Sequence, residues 1–290
     1  MTPLSGVWAA SLTPLTDDLD PDVERLAAHA TRLFASGCDG ILLFGTTGEA
    51  TSFSVQERTG VLDGLIDSGV DPGRVIVGVG CAAVTDTVEL TRAAGRSGVA
   101  AVLMLPPFYY KAVSDDGLAA AFELILRSVA DDTPPVLLYN IPRVSGVKVS
   151  AELAGRLARK YPGVVAGVKD STGDIASLRA FLQEMPGCAV FAGTELVLVA
   201  GLEDGAVGTI SALANLNASD IRTAYESRNT NHMPILEEAR MVMSAHPLIP
   251  GLKAVMAERL EDPGWAAVRP PLRSLAPGHG AALAAALPGP

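Results

Sequence analysis

Two apolar runs in this chain end on side chains that together could do carbonyl chemistry. Residues 164–168 lead to Lys169, which Asp170 and Ser171 follow, and residues 135–138 lead to Tyr139 and Asn140. A lysine amine condenses with a ketone to form an imine, which then accepts the electron pair of a breaking bond nearby. The neutral amine is the attacking form, and apolar walls favour it. A phenol on the adjoining strand can move protons to and from the carbinolamine and a leaving hydroxyl. A lone strand-end lysine reads as a side chain snorkelling into water, and a lone tyrosine as core. The pairing of the two points to an enzyme.

Gly45, Thr46, Thr47 and Gly48 offer two hydroxyls and several backbone N–H groups ahead of a helical pattern. Such a loop can cradle a carboxylate, and it lacks the lysine of a phosphate-binding loop. It reads equally well as a tight turn with capping threonines. Gly78, Gly80 and Ala83 fit a GxGxxA spacing, but no acidic residue for a ribose follows, so a close strand-to-helix turn is expected there. Ser145 and Lys148 match SxxK without the companion motifs that would give it meaning.

The elements that position these groups alternate in kind. Short β-rich runs fall at 6–11, 40–44, 75–80, 100–105, 135–139, 164–169, 188–193 and 205–211. Helical patterns lie between them at 20–36, 54–68, 84–97, 114–130, 150–160, 174–183 and 194–202, with Ser54, Ser114, Ser150 and Asp174 as expected caps. Eight strand–helix repeats predict a parallel (β/α)8 TIM barrel over 1–226, and helices at 217–229, 233–245 and 251–261 predict a C-terminal helical extension over 227–290 that ends in a frayed tail. In such barrels the strand C-termini form the active face. Here they carry the Gly45–Gly48 loop, Tyr109, Tyr139, Lys169, Ser171, Gly193, Glu195 and Ser211.

Composition narrows the function classes. A formal charge of −10 gives no general attraction to nucleic acid or anionic lipid. No apolar run reaches the length of a membrane span, and the N-terminus lacks a signal-peptide pattern, so a cytoplasmic protein is expected. Cys38, Cys81 and Cys188 are scattered and read as reduced, buried thiols. His29, His232, His246 and His279 show no metal-ligand spacing, so no metal is expected, and His29 reads as a surface or packing residue.

In combination and order, Gly45-Thr46-Thr47-Gly48-Glu49, Tyr139-Asn140-x-Pro142 and Gly167-Val168-Lys169-Asp170 resemble the pyruvate-dependent class I aldolases and lyases grouped with dihydrodipicolinate synthase and N-acetylneuraminate lyase. The resemblance covers nearly the whole chain. It implies a Schiff-base lysine at Lys169 and a proton relay at Tyr139. Thr46 and Thr47 would hold the pyruvyl carboxylate and pass protons to the tyrosine. Tyr109 would reach into a neighbouring subunit's site within a homotetramer built as a dimer of dimers. Arg143, Ser171, Gly193, Glu195 and Ser211 fall where members read the distal part of the substrate. No metal or organic cofactor is implied.

The departures rank the substrates. Synthases of this group carry an arginine where Val144 stands, and Arg143 comes one residue early. The neuraminate lyases carry an acidic pair where Glu195 and Leu196 stand. Lys169-Asp170-Ser171 is similar to aldolases that cleave 2-keto-3-deoxy sugar acids or 4-hydroxy-2-oxoglutarate. The expected activity is therefore reversible cleavage of a 2-keto-3-deoxy acid to pyruvate and an aldehyde. Dihydrodipicolinate synthase, N-acetylneuraminate lyase or a keto-acid dehydratase remain alternatives through the same imine, and a keto-acid-binding sensor is the non-enzyme alternative.

Overall fold

Eight short strands follow one another around a closed parallel barrel, each paired with its sequence neighbours and β1 closing on β8. The computed structural model describes residues 4–129 and 133–288; the expected helix end at 130 and the extremities of both termini lie outside them. The strands are β1 (Gly6–Ala10), β2 (Gly40–Leu43), β3 (Val75–Gly78), β4 (Ala101–Met104), β5 (Val136–Asn140), β6 (Val165–Asp170), β7 (Ala189–Ala192) and β8 (Gly208–Ser211). Around them run α1 (Val23–Ala35), α2 (Val55–Asp67), α3 (Val84–Arg96), α4 (Asp115–Val129), the single turn α5 (Pro142–Ser145), α6 (Ala151–Lys160), α7 (Ile175–Glu184), α8 (Leu198–Asp204) and α9 (Ala214–Ser227). Three further helices complete the chain: α10 (Met233–Ser244), α11 (Leu248–Arg259) and α12 (His279–Ala286).

Period-two alternation sorts the strand side chains into two cores. Trp8, Leu42, Ile76, Leu137, Phe191 and Ile210 fill the barrel interior. Val7, Ile41, Leu43, Leu138 and Val168 face outward against the helices. Tyr139 belongs to the inner set, and its register partner on β6 is Lys169, which in turn pairs with Phe191 on β7. The reactive pair thus sits on the same inward-facing row near the strand C-termini.

The four expected caps are present. Ser54, Ser150 and Asp174 accept hydrogen bonds from Glu57, Leu153 and Ala176 N–H groups, and Ser114 from Gly117. Each such cap is worth about 1 kcal/mol. Four helix starts differ from the sequence reading by three residues or more. α1 begins at Val23, after its cap Asp22, and α8 begins at Leu198, after a 3-10 turn at Glu195–Val197. α9 begins at Ala214, but Asn217 has non-helical angles, so the regular pattern emerges only after that kink. α11 begins at Leu248 because Pro250 lies in its first turn, where the missing N–H has no intrahelical partner to lose. The tail, expected to be frayed, forms α12 instead, and Leu283 and Leu287 are buried. Among the thiols only Cys38 is buried; Cys81 and Cys188 are half-buried, and all three are free.

Asn215 ties the closure of the barrel. Its Nδ2 donates to the carbonyls of Ala10 and Ala212, which fixes the amide so that Oδ1 accepts from Leu12 N–H at 3.1 Å and from His29 Nε2 at 2.9 Å. His29 is therefore a buried packing residue, neutral and protonated on Nε2, set edge-on to Trp265 at 4.9 Å. No helix among the described residues is long and apolar enough to cross a membrane.

Burial lowers the His29 pKa to about 4 from 6.5. A depressed folded value means that this stabilisation is complete above pH 6.5 and is lost as pH falls toward 4, because the unfolded chain binds the proton first. Thermal unfolding followed between pH 7 and 4 should lose up to roughly 3 kcal/mol through this group, and His29→Gln should flatten that limb.

Candidate active site

Lys169 is buried, with its Nζ 4.7 Å from the centroid of the Tyr139 ring. No carboxylate among the described residues pairs with this amine. The nearest in sequence, Asp170, is also buried, and its Oδ1 accepts from Asn140 Nδ2 at 2.8 Å while Oδ2 accepts from the Thr172 hydroxyl at 2.7 Å. Asn140 Oδ1 accepts from Val149 N–H at 3.1 Å. Side chains alternate along a strand, so the residues after Tyr139 and Lys169 face away from the barrel interior. There the amide–carboxylate bond locks β5 to β6 and engages the acid that directly follows the lysine.

The Tyr139 hydroxyl lies 3.3 Å from Thr46 Oγ1, which links the phenol to the loop after β2. Phe44 and Glu49 bracket that loop, and both have positive φ, 53° and 56°. A left-handed conformation in non-glycine residues persists only when the surroundings impose it. Within the loop the N–H groups of Gly48, Glu49 and Ala50 donate to the carbonyls of Gly45 and Thr46. The Thr46 and Thr47 amides are not donors in these loop hydrogen bonds, so fewer N–H groups are available than the sequence suggested. Thr47 is buried, and Thr13 Oγ1 supports the loop from β1 by donating to Gly48 O at 2.8 Å.

What holds Glu49 in place comes from the far end of the chain. Its Oε1 is paired with Lys253 Nζ of α11, both side chains being fully buried, and its Oε2 accepts from Arg269 N–H at 3.0 Å. Lys253 also donates to Ala267 O at 2.8 Å, and Arg269 donates to Ser52 O at 2.8 Å and pairs with Glu57 Oε1 at 2.5 Å. Burial pushes the Lys253 pKa down while Glu49 opposes it. The Arg269 hydrogen bond holds the Glu57 carboxyl down at about 2. Sequence reading missed Lys253 and Arg269; a lysine at a buried helical position was the available signal. It also missed Arg58, buried beside the loop, which donates to Gly78 O at 2.5 Å and to Cys81 Sγ at 3.2 Å.

A cavity of about 250 Å³ opens beside Thr46 and Tyr139, and Lys169 is not among its lining residues. Thr46, Tyr139 and Gly45 line one side, and Phe44, Leu103, Leu105, Phe108, Ile141 and Val144 supply its apolar walls. Gly78 and Gly80 form part of the lining. A Cβ on Gly78 would stand 2.0 Å from Phe44 O, so the GxGxxA spacing reflects close backbone approach.

The remaining sequence candidates divide. Gly193 and Ser171 sit together after β7 and β6, and a Cβ on Gly193 would stand 2.2 Å from Ser171 Oγ. Glu195 and Ser211 are not brought to the cavity. Glu195 is buried and held by Arg240 Nε and Nη2 at 2.7 Å each, and Ser211 Oγ donates to its Oε2 at 2.5 Å. Arg143 is solvent-exposed on α5. Tyr109 is 73% exposed, stands edge-on to Tyr110 and does not line the cavity of its own chain. Among the described residues no group of three or more His, Cys, Asp or Glu could hold a metal ion.

Residues 3–286 match the model of the Dihydrodipicolinate synthetase family. The chain is 34% identical over 288 residues to a protein of Chloroflexus aurantiacus named "Uncharacterized DapA-like lyase", covering 97% of this chain and 95% of the other. It superposes on dihydrodipicolinate synthase from Agrobacterium tumefaciens with a TM-score of 0.93 and 34% identity over 98% of each chain. It also superposes on YagE from E. coli K12, a protein of the dihydrodipicolinic acid synthase family solved in complex with pyruvate. That match has a TM-score of 0.88 and 25% identity over 97% of each chain.

Lys253→Met leaves Glu49 buried without its cation and should cost about 3–5 kcal/mol in denaturant unfolding. The double variant Glu49→Gln/Lys253→Met should recover part of that loss, because no unpaired charge remains.

Proposed function

Because the chain belongs to the dihydrodipicolinate synthetase family, whose members are pyruvate-dependent lyases and synthases, we propose that it is a Schiff-base-forming class I aldolase that reversibly cleaves a 2-keto-3-deoxy acid to pyruvate and an aldehyde. The observation that carries this reading is the register pairing of Tyr139 with a buried Lys169 that has no carboxylate partner, with Thr46 at 3.3 Å from the phenol. A non-catalytic sensor falls away with the family assignment.

In the cleavage direction Lys169 Nζ attacks the C2 carbonyl, and loss of water leaves an imine. Tyr139 takes the proton of the C4 hydroxyl as the C3–C4 bond breaks, and the bonding pair moves into the imine to give an enamine. The aldehyde departs. The enamine is protonated at C3, and water hydrolyses the resulting imine to pyruvate and free lysine. The amides and hydroxyls of Thr46 and Thr47 hold the C1 carboxylate throughout. The Thr46–Tyr139 contact supplies the path by which the phenol exchanges its proton. The exposed Tyr109 and Tyr110 beside the exposed Val144 form an apolar surface suited to an interface. That surface supports the homotetramer in which Tyr109 completes a neighbour's site.

A synthase reading through the same imine is favoured by the likeness to the Agrobacterium enzyme and by 31% identity over 282 residues to the 4-hydroxy-tetrahydrodipicolinate synthase of Methanopyrus kandleri. Product analysis separates the two: pyruvate plus an aldehyde for the lyase, a cyclised condensation product for the synthase.

Pyruvate with borohydride should leave a reduced adduct on the Lys169 peptide, seen by mass spectrometry and absent in Lys169→Ala. Tyr139→Phe should keep the fold and lower kcat by roughly 10²–10⁴. An adduct on another residue, or none, would sink the mechanism.

A further inference from the structure

The cavity that Tyr139 and Thr46 share carries no charged side chain anywhere in its lining. We infer that the part of the substrate beyond the breaking bond is uncharged and apolar: a branched-alkyl or aryl group on C4 of a 4-hydroxy-2-oxo acid, selected by the wall that includes Val144. This inference rests on the imine reading above and narrows it away from sugar acids and dicarboxylates.

The argument runs outward from the reacting atoms. The phenol hydroxyl contacts Thr46, and both residues line the cavity, so the space continues directly from the place where the C4 hydroxyl must lie. Past that point the walls are Leu103, Leu105, Phe108, Ile141 and Val144. An apolar cavity of about 150 Å³ suffices for benzene, and this one offers about 250 Å³. Polar capacity is scarce. The Ser145 hydroxyl donates to the carbonyls of Ile141 and Val147 and accepts from Val147 N–H. Among the lining side chains that leaves, beyond the Tyr139–Thr46 pair, the Thr51 hydroxyl, which gives a polyhydroxylated chain few side-chain partners, although each buried hydroxyl needs one.

A distal carboxylate fares worse, because it would be desolvated against Leu103 and Leu105 without a cation. The two cations in the rim segments do not supply one. Lys111 Nζ is engaged by the carbonyls of Phe108 and Ser145, the second at 2.7 Å, and so bridges the two rim segments. Arg143 extends into solvent and is not part of the lining. Glu195 and Ser211, the polar groups of the β7 and β8 ends, are bound to Arg240 and to each other.

The test uses the full chain and couples pyruvate release to lactate dehydrogenase. The probes are 4-hydroxy-2-oxo-4-phenylbutanoate, 4-hydroxy-2-oxo-5-methylhexanoate, 4-hydroxy-2-oxoglutarate and 2-keto-3-deoxygluconate. The phenyl or isopropyl substrate should exceed both polar ones in kcat/KM by about 100-fold. Val144→Arg should shift the ratio toward 4-hydroxy-2-oxoglutarate by at least ~10-fold. Borohydride trapping with pyruvate is run on the same preparations. A Lys169 adduct together with a preference for a polar substrate, or with equal turnover of all four, overturns this inference and leaves the imine reading standing. Absence of the adduct overturns the imine reading and this inference with it. A Val144→Arg protein that folds, traps pyruvate and keeps the parental ratio shows that the wall does not select, and also overturns the inference.

Discussion

A buried lysine with no counter-charge is the constraint around which the active face is organised. An amine inside a barrel is useful for imine chemistry only if no carboxylate captures it. The sequence places an acid immediately after it, so the fold must keep the two apart. It does so by strand geometry, since successive side chains point to opposite faces, and by giving Asp170 the Asn140 amide and the Thr172 hydroxyl as partners. The same bond staples β5 to β6 at the step beyond Tyr139 and Lys169, so the isolation of the amine and the alignment of the phenol have one cause.

Lys253 is the instructive contrast. It is as buried as Lys169, but it has a carboxylate partner, and its effect is conformational. Its pairing with Glu49 holds that residue at positive φ and so fixes the loop whose Thr46 contacts Tyr139. Breaking such a pair leaves an uncompensated charge, which is why the helices after the barrel are bound up with the site. The chain uses two buried amines for opposite ends, and the difference lies in whether an acid has been brought to each.

Family membership makes the chain a pyruvate-dependent lyase or synthase, while the walls of the cavity are what support the proposal of an apolar group beside the pyruvyl half. In the proposed mechanism the loop threonines, the phenol and the amine concern the three carbons that all substrates of this chemistry share. The cavity walls past them are mostly hydrocarbon, and of the polar side chains nearby Ser145, Glu195 and Ser211 are engaged with one another, with Arg240 or with the backbone. On the proposed reading, specificity would follow from the absence of partners for polar groups as much as from the fit of apolar ones.

The barrel was legible in the sequence because hydrophobic periodicity and turn residues are local properties. Eight apolar runs, the caps at Ser54, Ser150 and Asp174, and the strand-end positions of Tyr139 and Lys169 could all be read off residue order. The sequence by itself thus determined the fold class, the active face and the residue types on it. Only the tertiary structure decided which polar groups remain free. Glu49 meets Lys253 across 204 residues and Glu195 meets Arg240 across 45, and no local pattern announces either pairing. Whether a carboxylate binds a substrate or an arginine depends on what folding brings beside it in a low-dielectric interior, and that is a property of three-dimensional proximity.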